Sequence, residues 1–187
     1  MHVSYAWGNK SDKIVDDLEG QLQSHGYEVR RDKSVMRPGD WISTFMREIG
    51  RGGTVLIVLG ERYPKSHYCM RELLYLCQSS LGEKQEMLSR IVPVILDNAA
   101  IDTPAARLQI VRYWTEQREK LEHETRGLDP LCWGQSTRAQ LLLIREFETQ
   151  SADMLAWLAD IVMPRGNAEV GDFSAVLDII RERNHMR

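Results

Sequence analysis

Thr54-Val55-Leu56-Ile57-Val58-Leu59-Gly60 is an apolar run that lacks the in-out alternation of a half-buried strand. A strand of this kind is covered on both faces, as at the centre of a parallel sheet. After a short polar loop comes Ser66-His67-Tyr68-Cys69-Met70-Arg71-Glu72-Leu73-Leu74-Tyr75-Leu76-Cys77. Ser66 is placed as an N-cap, and Cys69, Leu73, Leu76 and Cys77 recur at helical spacing on one face, suited to packing on a sheet. Tyr68 and Glu72 form an i, i+4 pair beside that face, an aromatic set against a carboxylate. The acid thereby sits near the carboxyl edge of the strand, where open α/β sheets bind ligands.

Toward the amino terminus, His2-Val3-Ser4-Tyr5-Ala6-Trp7 reads as a short strand closed by the turn pair Gly8-Asn9. Ser11 is expected to open a helix with Ile14, Val15, Leu18 and Leu22 on its apolar stripe, ended by Gly26 at C′. Tyr27 to Asp32 reads as a second strand and Lys33 to Gly39 as a polar loop. Asp40 then caps a helix with Ile42, Phe45, Met46 and Ile49 inward. Strand, helix, strand, helix is the α/β pattern.

Toward the carboxyl terminus, the helix from about His67 to Leu81 leads through a polar connector, Gly82 to Ser89, into a fourth strand, Arg90 to Asp97. That strand requires Pro93 to sit where no N–H is needed. Thr103-Pro104 looks like the N-cap and first turn of a long charged helix to about Arg126, with Leu108, Val111, Trp114 and Leu121 as its apolar marks. Leu131-Cys132-Trp133 reads as a vestigial fifth strand. Thr137 to about Val162 reads as another long helix, with Leu141, Ile144, Met154, Leu155, Leu158 and Ile161 apolar, ended by Pro164-Arg165-Gly166. Asp172 or Ser174 caps a last helix carrying Phe173, Val176, Leu177 and Ile180. No internal repeat is present.

A chain of 187 residues suits one domain with an appended helical extension. With 24 basic and 27 acidic residues, a formal charge of −3, it has no global field for nucleic acid or anionic membrane. Apolar stretches stop at about six residues, against the ~20 that span a bilayer, and no signal peptide precedes the first strand. Three cysteines, two of them on the inner side of a helix, read as reduced thiols in a cytoplasmic compartment. The five histidines show no metal spacing, and neither a metal nor a cofactor is expected.

No Walker or Rossmann glycine loop occurs, since Gly50-Arg51-Gly52-Gly53 precedes a strand where those motifs follow one. No hydrolase elbow or HExxH is present. Instead, loops at one sheet edge each bring a distinctive residue: Tyr5 and Trp7 after the first strand, Asp32 and Arg37 after the second, Tyr68 and Glu72 at the helix after the third. Aromatics, a cation and carboxylates together suit a ligand that is flat, phosphorylated and sugar-containing.

Three separated stretches carry a resemblance: Val3-Ser4-Tyr5-Ala6-Trp7; Arg31-Asp32-Lys33 to Arg37-Pro38-Gly39-Asp40-Trp41-Ile42; and Ser66-x-Tyr68-Cys69-x-x-Glu72-Leu73. In order and spacing they resemble the three boxes of a bacterial-type Toll/interleukin-1 receptor (TIR) domain, over about 1–97. The resemblance implies a flavodoxin-like fold: a mostly parallel sheet of order 2-1-3-4-5, its fifth strand vestigial here, with helices on both faces. It implies a TIR domain over 1–165, with 98–165 a helical elaboration, and a tail or linker to a further domain over 166–187.

The resemblance further implies cleavage of NAD+, as substrate, between nicotinamide and ribose. Glu72 falls at the family's essential acid; Tyr5, Ala6, Trp7, Asp32, Arg37, Trp41, Ser66, Tyr68 and Cys69 fall around the substrate. Tyr5 and Tyr68 would flank the nicotinamide and its ribose. Tyr68 departs from the family's usual Trp, keeping an aromatic face but adding a hydroxyl. The loop Lys33 to Trp41 is implied to insert under a neighbouring protomer, so that assembly completes the site, and a fused or separate sensor domain would trigger it. The charged helix Thr103 to Arg126 is a second candidate assembly surface.

The chemistry also stands without the family. Nicotinamide leaves as a neutral base from a cation and needs no acid to protonate it, so one carboxylate holding the ribose and stabilising an oxocarbenium-like charge suffices. Capture by water gives ADP-ribose, and capture by an adenine nitrogen gives a cyclic isomer. Rival readings are a non-enzymatic TIR adaptor binding its own kind and, more remotely, a nucleoside deoxyribosyltransferase-like enzyme, which needs a second acid near Glu72. For Glu72 itself the alternative is a solvated helix-face glutamate paired with Lys65 or Arg71, for Cys69 a small core residue, and for Trp7 and Trp41 partly buried anchors.

Overall fold

The computed structural model describes residues 1–31, 53–80, 83–161 and 167–185. The expected loop Lys33 to Trp41, the helix after Asp40 and the break Pro164-Arg165-Gly166 lie outside the described residues. Two compact units emerge, Met1–Ala99 with Asp160–Arg187, and Ala100–Ala159.

The first unit is built on four parallel strands, β1 (His2–Tyr5), β2 (Arg30–Arg31), β3 (Val55–Leu59) and β4 (Ile91–Ile95), in the order β2-β1-β3-β4. β3 is buried at every position, as its uninterrupted apolar run requires. Val3 stands opposite Leu56, and Leu56 opposite Val92, so their side chains line one face of the sheet. That face packs on α1 (Asn9–Ser24), through Ile14, Val15, Leu18 and Leu22, and on α6 (Ser174–His185), through Val176, Leu177 and Ile180. The other face carries Ser4 and Ile57 and is covered by α2 (His67–Ser79), whose Glu72 bonds Ser4. A fourth helix of this unit, α3 (Lys84–Arg90), leads directly into β4.

Local chemistry accounts for most element ends. Ser66 Oγ accepts the Cys69 N–H at the start of α2, as expected of its cap. Gly26 follows α1 at φ 81°, the left-handed C′ geometry. Pro93 is tolerated in β4, which pairs only with β3 among the described residues and so turns half of its backbone groups away from the ladder.

Three expectations are corrected here. The first helix begins at Asn9 and not Ser11, with Gly8 at its cap and the Gly8 carbonyl accepting the Asp12 N–H at 2.8 Å. The connector Gly82 to Ser89 contains α3, a helix of under two turns held by one buried anchor, Met87; Glu86 in its first turn and Arg90 in its last complement the helix dipole. The second strand is formed at Arg30–Arg31 alone among the described residues. Ala168, Phe173, Val176, Leu177 and Ile180 lie in the core of the sheet unit. Arg183 there donates to the carbonyls of Ile91 (2.9 Å) and Leu88 (3.2 Å).

The second unit is an antiparallel pair, α4 (Pro104–Glu124) and α5 (Gly134–Ala159). Thr103 caps α4 through the Ala106 N–H, with Pro104 at the first helical position. Leu131-Cys132-Trp133 is not a fifth strand: Pro130–Trp133 forms a 3-10 turn, opened by Asp129 accepting the Leu131 N–H at 2.9 Å. Trp114 packs on Phe147 with ring centroids 4.7 Å apart. Leu108, expected inward, is exposed, and Ile110 takes the inner position. Glu148 joins the helices along one side, accepting from Thr115 and from Arg118, both at 2.8 Å, while Glu122 accepts from Arg118 at 2.6 Å and from Arg145 at 3.0 Å.

Candidate functional site

Glu72 is on the second turn of α2, and it is not a solvated helix-face residue: 6 % of its surface is exposed. A buried carboxylate must be met by donors. Ser4 Oγ, on β1, donates to Glu72 Oε2 and stands 2.8 Å from the Tyr63 hydroxyl. Tyr63 lies in the 3-10 turn Tyr63–Lys65 between β3 and α2 and is fully buried. Burial, with the nearby Cys69 and Glu72, pushes the Tyr63 hydroxyl well above its ordinary range despite the opposing Ser4 hydrogen bond, so it remains a phenol at all working pH.

The parallel topology assembles this group. β1 and β3 are neighbours in register, Ser4 opposite Ile57, and the chain leaving β3 turns at once through Tyr63 into α2. Residues 4, 63 and 72 therefore meet at one face of the sheet near the carboxyl ends of its strands.

The other expected site residues divide. Ser66 caps α2, and Cys69 is a buried residue of that helix whose N–H serves the cap. Tyr68 is exposed at 56 %, one turn before Glu72. Tyr5 lies on the other face of the sheet from Ser4: neighbouring positions on a strand point to opposite faces, and while Ser4 faces α2, Tyr5 is buried with Val3, Ile14 and Val15 on the α1 face. Trp7 is 51 % exposed, where a partly buried anchor was the alternative. Asp32, Arg37 and Trp41 lie outside the described residues.

Ala6 lines a small open cleft of about 160 Å³ where the chain leaves β1, β3 and β4, together with Gly8, Ser11, Glu61, Arg62 and Asn98. The absence of a side chain at Gly8 lets the Arg62 guanidinium lie against the start of α1. Asn98 Oδ1 accepts the Glu61 N–H at 3.4 Å. Sequence reasoning missed Ser4, Tyr63 and Arg62 as site residues. The available signal for Ser4 was a hydroxyl in a strand otherwise apolar on both sides; Tyr63 and Arg62 gave none. Among the described residues no group of His, Cys, Asp and Glu could hold a metal.

A family model described as TIR domain matches residues 2–128. The chain belongs to the TIR-domain family. Among solved structures it is similar to the TIR domains in the "Structure of the activated Roq1 resistosome directly recognizing the pathogen effector XopQ", with 21% identity, coverage of 97% of this chain and 96% of that one, and a TM-score of 0.58. Identity at that level speaks for the fold alone. No curated protein matches the chain. The TIR match spans all four strands and the whole of α4, and Glu72 lies within it.

Proposed function

We propose that this TIR protein is an NAD+ nucleosidase that cleaves the nicotinamide–ribose bond, releasing nicotinamide with ADP-ribose or a cyclic ADP-ribose isomer, with Glu72 as the acting carboxylate. The observation that carries the reading is the burial of Glu72 at the carboxyl edge of a parallel sheet, with one oxygen held by Ser4. A largely desolvated carboxylate stabilises a developing positive charge far more strongly than one in water. Tyr68, exposed one turn earlier, offers an aromatic face to the leaving ring. We propose further that self-assembly through Lys33 to Trp41 switches the activity on, that a sensor domain supplies the trigger, and that the protein acts in the cytoplasm as an effector of bacterial antiphage defence. The reduced thiols of Cys69, Cys77 and Cys132 suit that compartment. Among the described residues no helix is long and apolar enough to cross a membrane.

One observation favours a second reading, a non-enzymatic scaffold. Ser4 and Tyr63 could serve Glu72 simply as a satisfied internal network, while Trp7 and Tyr68 stand exposed for protein contact. NAD+ consumption by the wild type and by Glu72→Gln, at protein concentrations where light scattering shows assembly, decides between them. The nucleosidase releases nicotinamide, and the variant falls by about 10²-fold or more. Silence of both assembled proteins leaves the scaffold.

A further inference from the structure

We infer that Ser4 and Tyr63 are positioning residues for Glu72, a two-hydroxyl relay that sets the rotamer of the carboxylate and favours its ionised form. The inference rests on the nucleosidase reading for its catalytic consequence, but its physical content does not depend on that reading.

Hydrogen counting gives the direction of the relay. An ionised carboxylate only accepts, and a serine hydroxyl has one proton. The proton of Ser4 therefore goes to Glu72 Oε2, and the short Ser4–Tyr63 contact of 2.8 Å is made by the Tyr63 proton. Tyr63 can fill that role over the whole working range because it does not ionise there. All three groups are buried, at 1 % exposure for Ser4, 0 % for Tyr63 and 6 % for Glu72, so water cannot readily substitute for a missing donor. If Glu72 takes up a proton it becomes a donor as well as an acceptor, Ser4 can then accept from it, and the relay loses its fixed direction.

The anchoring is rigid at both ends. Ser4 is on β1, in register with Ile57 of β3, and Tyr63 is in the turn that joins β3 to α2, with its N–H bonded to the Gly60 carbonyl at 3.1 Å. A carboxylate held this way keeps one orientation while charge develops in front of it, which is the condition for electrostatic stabilisation without reorganisation. An apolar residue would otherwise be expected at Ser4, given its burial in an inner strand. The titratable groups at the relay are Glu72 and Cys69 on α2 and Tyr63 in the turn.

The test uses the full chain in four forms, wild type, Ser4→Ala, Ser4→Thr and Tyr63→Phe, each checked by thermal melting. Ser4→Ala is expected to lower kcat by about 10-fold or more, the effect of one lost charge-assisted hydrogen bond, with KM within about twofold and the acid limb of the pH–rate profile moved to higher pH. Ser4→Thr, which keeps the hydroxyl, restores most of kcat. Tyr63→Phe, which keeps the ring, gives a smaller loss in the same direction. An unchanged kcat and acid limb in Ser4→Ala overturn the inference.

A second readout is independent of turnover: the carboxyl carbon of Glu72, followed by NMR through a pH titration, has a higher midpoint in Ser4→Ala than in the wild type. Equal midpoints overturn the relay even if the enzyme is active. A raised midpoint supports it even if no NAD+ is consumed, in which case only the nucleosidase reading has failed.

Discussion

The two compact units place their charges in opposite ways. In the sheet unit a carboxylate is carried inside, Glu72 against Ser4 and Tyr63, within a largely apolar core. In the helical pair the interior is uncharged, with Trp114 against Phe147, and the charges of Arg118, Glu122, Arg145 and Glu148 stay along its side. The second arrangement follows from two amphipathic helices joined by a short turn. The first carries a desolvation cost that a merely structural design would avoid. A buried acid kept at the ligand-binding edge of a sheet is therefore where the comparison locates chemistry, and the helical pair is where it locates conventional packing.

The largest effect is expected at Trp114. Trp114→Ala should cost about 3–5 kcal/mol through the cavity it leaves, with faster amide exchange across α4 and α5 while β1 and β3 stay protected. Equal loss of protection in β3 would break the comparison by showing one cooperative block.

Acid should act next, and on the sheet unit. Burial, then the neighbouring amino terminus and Arg30, lower His2 to about 4 from an ordinary 6.5. Between these values the unfolded chain binds more protons than the native one, so stability rises with pH across that window and is lost as pH falls from 6.5 toward 4. The loss should approach ~2–3 kcal/mol, measured by urea unfolding, and His2→Gln should flatten it.

Glu72→Gln sharpens the contrast between chemistry and stability. The amide keeps the shape and can still accept from Ser4, so unfolding free energy should change by no more than about 1 kcal/mol while turnover is lost. A large destabilisation would assign Glu72 to structure.

The smallest effect belongs to the ion pairs of the helical unit. Arg118→Ala should cost under about 1 kcal/mol, and less at high salt. Burial raises the Glu148 carboxyl but hydrogen bonds from Arg118 and Thr115 outweigh it, leaving it lowered. Its contribution is thus present above its ordinary 4.5 and fades only as pH falls below that value.

Particular residues show how far the sequence reaches. The apolar run of β3, the Ser66 cap, the Thr103-Pro104 start of α4 and the stripe Phe173, Val176, Leu177 and Ile180 all stand where their chemistry puts them. At under two turns, α3 was too short for a helical period to be read, and Leu131 to Trp133 had strand-like composition but follow Asp129-Pro130, whose cap and fixed φ set a 3-10 turn. Ile110, four residues before Trp114, shares its buried face, whereas Leu108, six residues before it, is turned away from that face, which is why Ile110 and not Leu108 is buried. In the site, Glu72 was legible by its spacing from Ser66 and Cys69, whereas Tyr5 and Ser4, adjacent in the chain, are sent to opposite faces by the pleat.

By itself, then, the sequence determined the α/β class, the parallel centre of the sheet, the TIR family and the acid worth testing, because these depend on local capping, periodicity and motif spacing. The tertiary structure decided that Glu72 is buried, that its partners are Ser4 and Tyr63, and that the last helix belongs to the sheet unit. Those facts depend on which distant segments a parallel register brings together, and no local pattern encodes contacts between residues 59 and 68 positions apart.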